Sequence, residues 1–340
     1  MATEEELKRR AEAGDAEAQA GLAVLLDRGG RHAEALQWLQ TASQNGHAPA
    51  QCMLGARLVV GRVAPFRPSE GARWISAAAQ QGMPKALSLM AVLATVSGDW
   101  RAAIHFMTEA GRRGDALARE QMTLLHDPAQ FDAQSWQMPR QPQWQFESPR
   151  VGVIEGFVPK ALCDWIIRRA RSKLEITKVK DPVQGGGRQV DYRNNAGAGF
   201  SLIESDLILQ MVNIRIADAI GLPLANQEPT NVLRYFPGEE YRPHFDFITR
   251  SARNETELRA AGQRATTVLV YLNDAYERGE TEFPELGWRY KGKPGDALVF
   301  WNVTPGGEPD SRTLHAGRTP TRGEKWLYSK WVRERQYPLL

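Results

Sequence analysis

The chain has 340 residues, of which 42% are hydrophobic and 24% charged, and 43 Lys and Arg against 40 Asp and Glu leave a net charge of +3. Charges of both signs are interspersed, so there is neither a basic stripe for nucleic acid nor a patch for a membrane surface. Two cysteines exclude a disulfide framework, and the absence of a signal peptide or a long apolar span leads us to expect a cytoplasmic protein.

Residues 1–125 carry an internal repeat. The phrases Gly14-Asp15-Ala16-Glu17-Ala18, Gly46-His47-Ala48-Pro49-Ala50, Gly82-Met83-Pro84-Lys85-Ala86 and Gly114-Asp115-Ala116-Leu117-Ala118 stand at steps of 32, 36 and 32 residues. An aromatic precedes three of those glycines by eight residues: Trp38, Trp74 and Phe106. Ala and Leu at helical spacing fill the intervals. A period of this length with helix–turn–helix content predicts an α-solenoid. The three aromatics are expected to pack between helices, because one repeat cannot bury its own face alone. The wording resembles Sel1-like repeats, close to the tetratricopeptide type.

Residues 126–149 are rich in Gln and Pro with no sustained apolar period, and are expected as a linker. The second domain, 150–340, opens at Val151–Phe157. A helix over Lys160–Lys173 places Leu162, Trp165, Ile166 and Ala170 on one side, to back a sheet. Asp181–Phe200 is rich in Gly and Asn, as a closing lid would be. A strand over Asn231–Phe236 leads into a Pro237-Gly238 turn, and a second extended run covers Tyr241–Phe247. Alternation there directs His244 and Asp246 to one side and Phe245 and Phe247 to the other. A charged loop, Thr249–Arg264, borders the entrance. Strands follow over Ala265–Asn273 and, after a turn at Gly295, up to Trp301; Trp301 and Trp331 are expected to pack. His315 precedes a turn at Thr319-Pro320-Thr321 and a last strand over Glu324–Val332. Reflection through Pro320 brings Lys325 back alongside His315, whether their strands pair or face each other across a barrel.

Two imidazoles and a carboxylate make the set that holds Fe(II) while leaving positions open for other ligands, and a nearby lysine supplies a cation for an acidic cosubstrate. The blocks Tyr235–Asp246, Ala265–Asn273, Gly279–Pro284, Gly295–Trp301, Leu314–Gly317 and Gly323–Trp326 resemble, in order and spacing, the catalytic domain of the prolyl 4-hydroxylase-like Fe(II)/2-oxoglutarate dioxygenases. The resemblance implies a double-stranded β-helix (jelly-roll) barrel with iron at its mouth. It implies His244, Asp246 and His315 as catalytic metal ligands, and Lys325 as partner of the far carboxylate of 2-oxoglutarate. Tyr235 and Tyr271 would contact that cosubstrate, O2 would be the oxidant and ascorbate an accompanying reductant. Asp246 argues against a halogenase, which lacks this carboxylate, and so for a hydroxylase. The family's Gly-Gly-Glu-Thr reads Arg278-Gly279-Glu280-Thr281 here, and Arg193-Asn194-Asn195 departs from the usual lid wording. Arg188 or Arg193 would grip a substrate carboxylate bidentately.

The expected fold is therefore α+β in two domains, an N-terminal helical solenoid and a C-terminal jelly roll. Three functional readings follow. The favoured one is hydroxylation of a free cyclic amino acid such as proline or pipecolate, with the repeats serving assembly, including a homodimer. The second is hydroxylation of prolyl residues in a peptide held by the solenoid. The third is a repeat adaptor with a vestigial barrel, against which the complete ligand set argues.

Overall fold

The recurring glycine of the N-terminal phrases ends a helix. In the computed structural model, which describes residues 3–176, 179–180, 187–188 and 194–337 (backbone alone at 179–180 and 187–188), Gly46 has φ +81°. It donates to the Ser43 carbonyl while His47 N–H donates to Ala42, both at 3.1 Å. These two bonds are the Schellman closure, which needs a left-handed residue and so favours glycine. The same pair of bonds recurs at Gly14, Gly82 and Gly114. The next residue then starts the following helix: Asp15 caps Glu17 and Ala18, and Asp115 caps Ala118. Helices α1 (Glu4–Glu12), α2 (Ala16–Arg28), α3 (His32–Gln44), α4 (Ala48–Val60), α5 (Pro68–Gln80), α6 (Pro84–Val96), α7 (Trp100–Arg112) and α8 (Ala116–His126) follow one another, with a longer connection between α4 and α5. The alanine of each phrase (Ala18, Ala50, Ala86, Ala118) is buried. Trp38 and Trp74 pack half-buried against the core of the first repeats.

Helices α4 and α5 approach closely because glycines face each other. A Cβ on Gly55 would lie 2.6 Å from the Gly71 carbonyl and 2.7 Å from Ile75 Cγ1, and one on Gly71 would lie 2.6 Å from the Gly55 carbonyl.

By its contacts the chain divides into two units. The first takes in Met1–His126 and Ser201–Gln210, so a ten-residue segment distant in sequence joins the helical repeats. The second takes in Asp127–Phe200 and Met211–Pro338. The stretch expected as a linker carries a short helix α9 (Ala133–Gln137) and a strand β1 (Gln143–Glu147). Trp144 and Phe146 alternate with exposed Gln143, Gln145 and Glu147, so the strand rests on two aromatics rather than on an apolar run.

In the second unit, strands β2 (Arg150–Ile154), β3 (Glu175–Ile176), β4 (Val179–Lys180), β5 (Gly187–Arg188), β6 (Ala196–Phe200), β7 (Thr230–Tyr235) and β8 (Tyr241–His244) come first. They are followed by β9 (Arg264–Tyr271), β10 (Tyr276–Arg278), β11 (Thr281–Phe283), β12 (Trp288–Tyr290), β13 (Ala297–Trp301), β14 (His315–Gly317), β15 (Pro320–Gly323) and β16 (Lys325–Arg333). The large sheet runs β1-β2-β13-β9-β16-β7-β6-β3 and the small one β12-β11-β14-β8, with antiparallel neighbours throughout. Between them lies a core of Leu233, Leu269, Leu298, Phe300 and Leu327 from the large sheet and Phe283 from the small one. This is the jelly-roll arrangement. Helix α10 (Lys160–Arg171) buries Leu162, Trp165, Ile166 and Ala170 and packs on β6 and β7; α11 (Leu207–Ile220) and α12 (Glu255–Ala261) complete the described helices. Among the described residues no helix is long and apolar enough to cross a membrane.

Two local expectations change. Pro320 begins strand β15, which pairs with β10, instead of centring a turn; proline fits there because it opens an edge strand. Strand β8 stops at His244, and Asp246 sits in a bend beyond it.

The close glycine contact gives a signed test. Replacing helical Gly by Ala normally stabilises by up to about 1 kcal/mol, and Gly21→Ala in α2, where the new Cβ meets only Leu7 Cδ2 at 3.4 Å, should raise Tm. Gly55→Ala should lower Tm instead, since overpacking costs about 1–3 kcal/mol. Thermal melts followed by circular dichroism would reverse the interpretation if both variants gained stability.

Candidate metal centre

Three protein groups converge at one end of the space between the sheets. β14 pairs with β8 so that His315 stands directly opposite His244. Each imidazole turns its Nδ1 to a backbone carbonyl two residues back, His244 to Arg242 at 2.8 Å and His315 to Thr313 at 3.0 Å. A carbonyl only accepts, so each Nδ1 carries a proton, and Nε2 is the nitrogen turned toward the third group. Both Nε2 atoms face Asp246, His244 at 3.7 Å from Oδ1 and His315 at 3.5 Å from Oδ2.

Asp246 is 4% exposed. Burial pushes its carboxyl up, but His315, His244, Arg264 and the hydroxyl of Thr267 outweigh this and hold it below the ordinary range. Thr267 Oγ1 donates to Asp246 Oδ2 at 2.8 Å and accepts from Asn302 Nδ2 at 2.9 Å. The chain just past Asp246 is held by the Gln263 side chain, whose amide bonds both the N–H and the carbonyl of Ile248. Gln263 thus substitutes for a strand partner where β8 has ended. On the other side, Asp310 caps the short 3-10 turn Ser311–Thr313 and salt-bridges Arg312, which orients the backbone entering His315.

The candidate ligand atoms of His244, Asp246 and His315 lie within 4.8 Å of one another, and among the described residues no other group of this kind occurs. Ligand atoms about 2.1 Å from one ion and at right angles to each other lie about 3 Å apart. The nitrogen–oxygen separations of 3.7 and 3.5 Å would close by about 0.5–0.7 Å around such an ion. Two neutral nitrogens and one carboxylate oxygen therefore fit a divalent first-row ion such as Fe(II).

The cavity at this cluster has walls of Leu233, Tyr235, Leu269, Thr281, Leu327 and Trp331 besides the three candidate ligands. Tyr241 stacks on His244, with ring centroids 3.3 Å apart and 11° between planes, and Phe300 meets His315 edge-on. Arg264 lies 3.7 Å from the Trp331 ring centre and pairs bidentately with Glu228.

Lys325 opens β16 directly opposite Tyr235 on β7. It is fully buried, and among the described residues its Nζ has no hydrogen-bond partner. Burial pushes the ammonium down to about 7, with Glu280 opposing the shift. Nζ lies 5.2 Å from the ring centre of Tyr235 and 5.8 Å from that of Tyr271. Lys325 and His315 therefore belong to different sheets of the barrel, and their strands do not pair. The neighbouring cations are engaged elsewhere: Arg318 pairs with Glu282, and exposed Arg322 with Glu277. Tyr271 donates its hydroxyl within reach of Thr281 Oγ1 at 2.8 Å and the Tyr290 carbonyl at 3.0 Å, so it is already committed. Arg193 lies outside the described residues, and at Arg188 only the backbone of β5 is described. Asn194, at the described end of the expected lid, bonds Gly238 and Glu240 beside the Pro237-Gly238 turn. The signal for the missed Thr267 was available in the alternation of β9, which puts Thr267, Leu269 and Tyr271 on one face.

Comparison with known proteins follows this geometry. Residues 230–333 match the 2OG-Fe(II) oxygenase superfamily. Prolyl 4-hydroxylase 1 of Arabidopsis thaliana is 34% identical over 202 residues, 55% of this chain and 70% of its own length. Among solved structures, a viral collagen prolyl hydroxylase from Paramecium Bursaria Chlorella virus-1, in complex with 2OG, is 28% identical with a TM-score of 0.43, over 54% of this chain and 95% of that one. A Sel1 repeat protein from Oxalobacter formigenes is 26% identical with a TM-score of 0.31, over 34% of this chain and 94% of that one.

Thr267→Val keeps the shape of the side chain and removes the bond to Asp246. Its expected effect is a tenfold to hundredfold weaker affinity for Co(II) or Mn(II), about the usual loss for a partner that orients a ligand. Calorimetric titration checks this, and unchanged affinity would mean that Asp246 is held without Thr267.

Proposed function

This chain belongs to the prolyl 4-hydroxylase-like family of 2OG-Fe(II) oxygenases and is a 2-oxoglutarate-dependent hydroxylase, and on that premise we propose that it hydroxylates the ring of a prolyl residue carried by a peptide. The same proposal makes His244, Asp246 and His315 the iron ligands and Lys325 the partner of the cosubstrate's far carboxylate. The observation that carries it is the unpaired ammonium of Lys325, buried beside a tyrosine of the cavity that also holds the three ligand atoms. A buried cation without a partner is costly, and a dicarboxylate supplies the missing charge.

The roles of the residues follow from their contacts. The carbonyls of Arg242 and Thr313 hold a proton on Nδ1 of each imidazole and so leave Nε2 as the atom that would bind metal. Thr267 orients Asp246 through its hydroxyl. Lys325 takes up a proton when the far carboxylate arrives, with Tyr235 beside it. Tyr271 acts indirectly, by holding the hydroxyl of Thr281 in the cavity wall. Leu233, Leu269 and Leu327 keep the site dry, which strengthens each of these interactions. When bound, Fe(II) supplies the chemistry by which 2-oxoglutarate and O2 become succinate and CO2 while the other oxygen atom enters a substrate C–H bond as hydroxyl.

The choice of a peptide over a free amino acid rests on charge. A free amino acid brings a carboxylate and an ammonium. Among the described residues of the cavity wall, the charged or ionisable groups of acid–base type outside the tyrosines are those of the three ligands. A residue flanked by amides asks for no such partners. The free cyclic amino acid stays the second reading through Arg188 and Arg193, whose side chains would provide the clamp.

Succinate release with Fe(II), 2-oxoglutarate and O2 tests both. Proline-rich peptides should stimulate it and gain one oxygen in mass, whereas stimulation by free proline or pipecolate alone would replace the peptide with the amino acid. His244→Ala should abolish release, including uncoupled turnover without substrate.

The lysine also sets a pH dependence. With its empty-site value near 7, Lys325 loses its charge as pH rises, so a dicarboxylate must bring a proton with it. The KM for 2-oxoglutarate should therefore rise above pH 7, by up to about tenfold per unit. Lys325→Ala should raise KM at every pH and remove that slope. A wild-type KM flat between pH 7 and 9 would exclude this role.

A further inference from the structure

The second unit contains another cavity, apart from the metal centre and of about 230 Å³, whose wall includes Phe131, Trp136, Arg140, Pro159 and Arg215. Arg215, on α11, is 8% exposed. Its guanidinium is already fixed in place: it donates to the Trp136 carbonyl and lies 4.3 Å from the ring centre of Trp136 and 5.4 Å from that of Phe157. Yet Nε of Arg215 is buried with no hydrogen-bond partner among the described residues, and so is Nε of Arg140. Two unspent donors from two cationic groups thus border one space.

Nothing in the wall neutralises them. Asp132 is the acidic residue there, and its carboxylate accepts from Gln134 N–H at the start of α9. Asp218, on the same helix as Arg215, acts on it only through space. Burial and the neighbouring Arg140 together push the Arg215 guanidinium down to about 10. An anion between the two arginines would relieve both the burial and the mutual repulsion.

We propose that this cavity binds a small oxyanion, carboxylate or phosphate in chemistry, held between the guanidiniums of Arg140 and Arg215 with its remainder against Phe131 and Trp136. The planar guanidinium fork suits both kinds of oxyanion. Size limits the choice. At about 30 Å³ per water, the space equals seven or eight waters, and drug-sized ligands occupy pockets from about 300 Å³ upward. Phosphate or a short dicarboxylate fits, and a nucleotide does not.

Calorimetric titration of the full chain with inorganic phosphate and, separately, succinate tests the site. Lys325→Ala provides the background for succinate, so that the dicarboxylate site near the metal centre does not contribute. Loss of a charge-assisted hydrogen bond should weaken binding about tenfold or more in Arg140→Gln and in Arg215→Gln, while Lys325→Ala leaves phosphate affinity unchanged. Arg140 is only half-buried, so its variant provides the test should Arg215→Gln fail to fold, and unchanged succinate production serves as the folding control. Arginine-dependent binding of phosphate alone, or of succinate alone, identifies the chemistry that the site prefers. The proposal is overturned if neither anion binds, or if Arg140→Gln binds them as wild type does.

Discussion

The register of β14 against β8 is the constraint on which the candidate metal centre depends. It sets His315 opposite His244, and a slip of one residue would turn one imidazole to the far face of the sheet. β14 is only three residues long, so its own ladder cannot fix that register. Its other edge does so, through Thr281 opposite Gly317 and Glu282 opposite Ala316 on β11. Glu282 is in turn clamped by Arg289 from β12 and Arg318 from just beyond β14. Burial pushes the Glu282 carboxyl up, and the two arginines more than offset this and keep it ionised. An ion-pair cluster on the rim of the small sheet thereby positions two rings in its interior.

Much of this was legible in the order of residues, and the exceptions share a cause. The glycine phrases of the repeats were readable because each combines a helix stop with a helix start within two residues, a local rule that tertiary packing does not override. The convergence of His244, Asp246 and His315 was readable in part: residue types and strand order pointed to it, although Asp246 lies in a bend rather than on the strand. The unreadable parts depend on partners distant in sequence. Pro320 looked like a turn because its pairing with β10 lies over forty residues away. Strand β8 looked longer than it is because alternation continues through Phe247, whereas Gln263 takes over the bonding past Asp246. β1 was hidden by polar residues on its exposed face. The close pass of α4 over α5 left only two isolated glycines as a trace. Tyr271 illustrates the same limit within the site, because its hydroxyl could not be assigned to Thr281 before β9 and β11 were placed in one barrel.

Buried cations separate structural from functional roles in the barrel. Lys325, Lys330 and Arg333 all lie on β16 and are all inaccessible to solvent or nearly so. Burial lowers each of them, the two lysines to about 7. Lys330 recovers the cost locally, donating to the Glu228 carbonyl at 2.9 Å and to Thr230 Oγ1 at 2.7 Å. Arg333 stands between the carboxylates of Glu228 and Glu257. Both are therefore parts of the scaffold, and Glu228 extends the same network through Arg264 to the backbone of Asp246. Among the described residues Lys325 Nζ has no hydrogen-bond partner, and it lies near the rings of Tyr235 and Tyr271. Arg333 leaves Nε and Nη1 without a hydrogen-bond partner among the described residues but keeps two carboxylates beside it, whereas Lys325 has no such carboxylate contact; burial alone marks a lysine as unusual, and this lack of a paired anion is what the proposed dicarboxylate would make good.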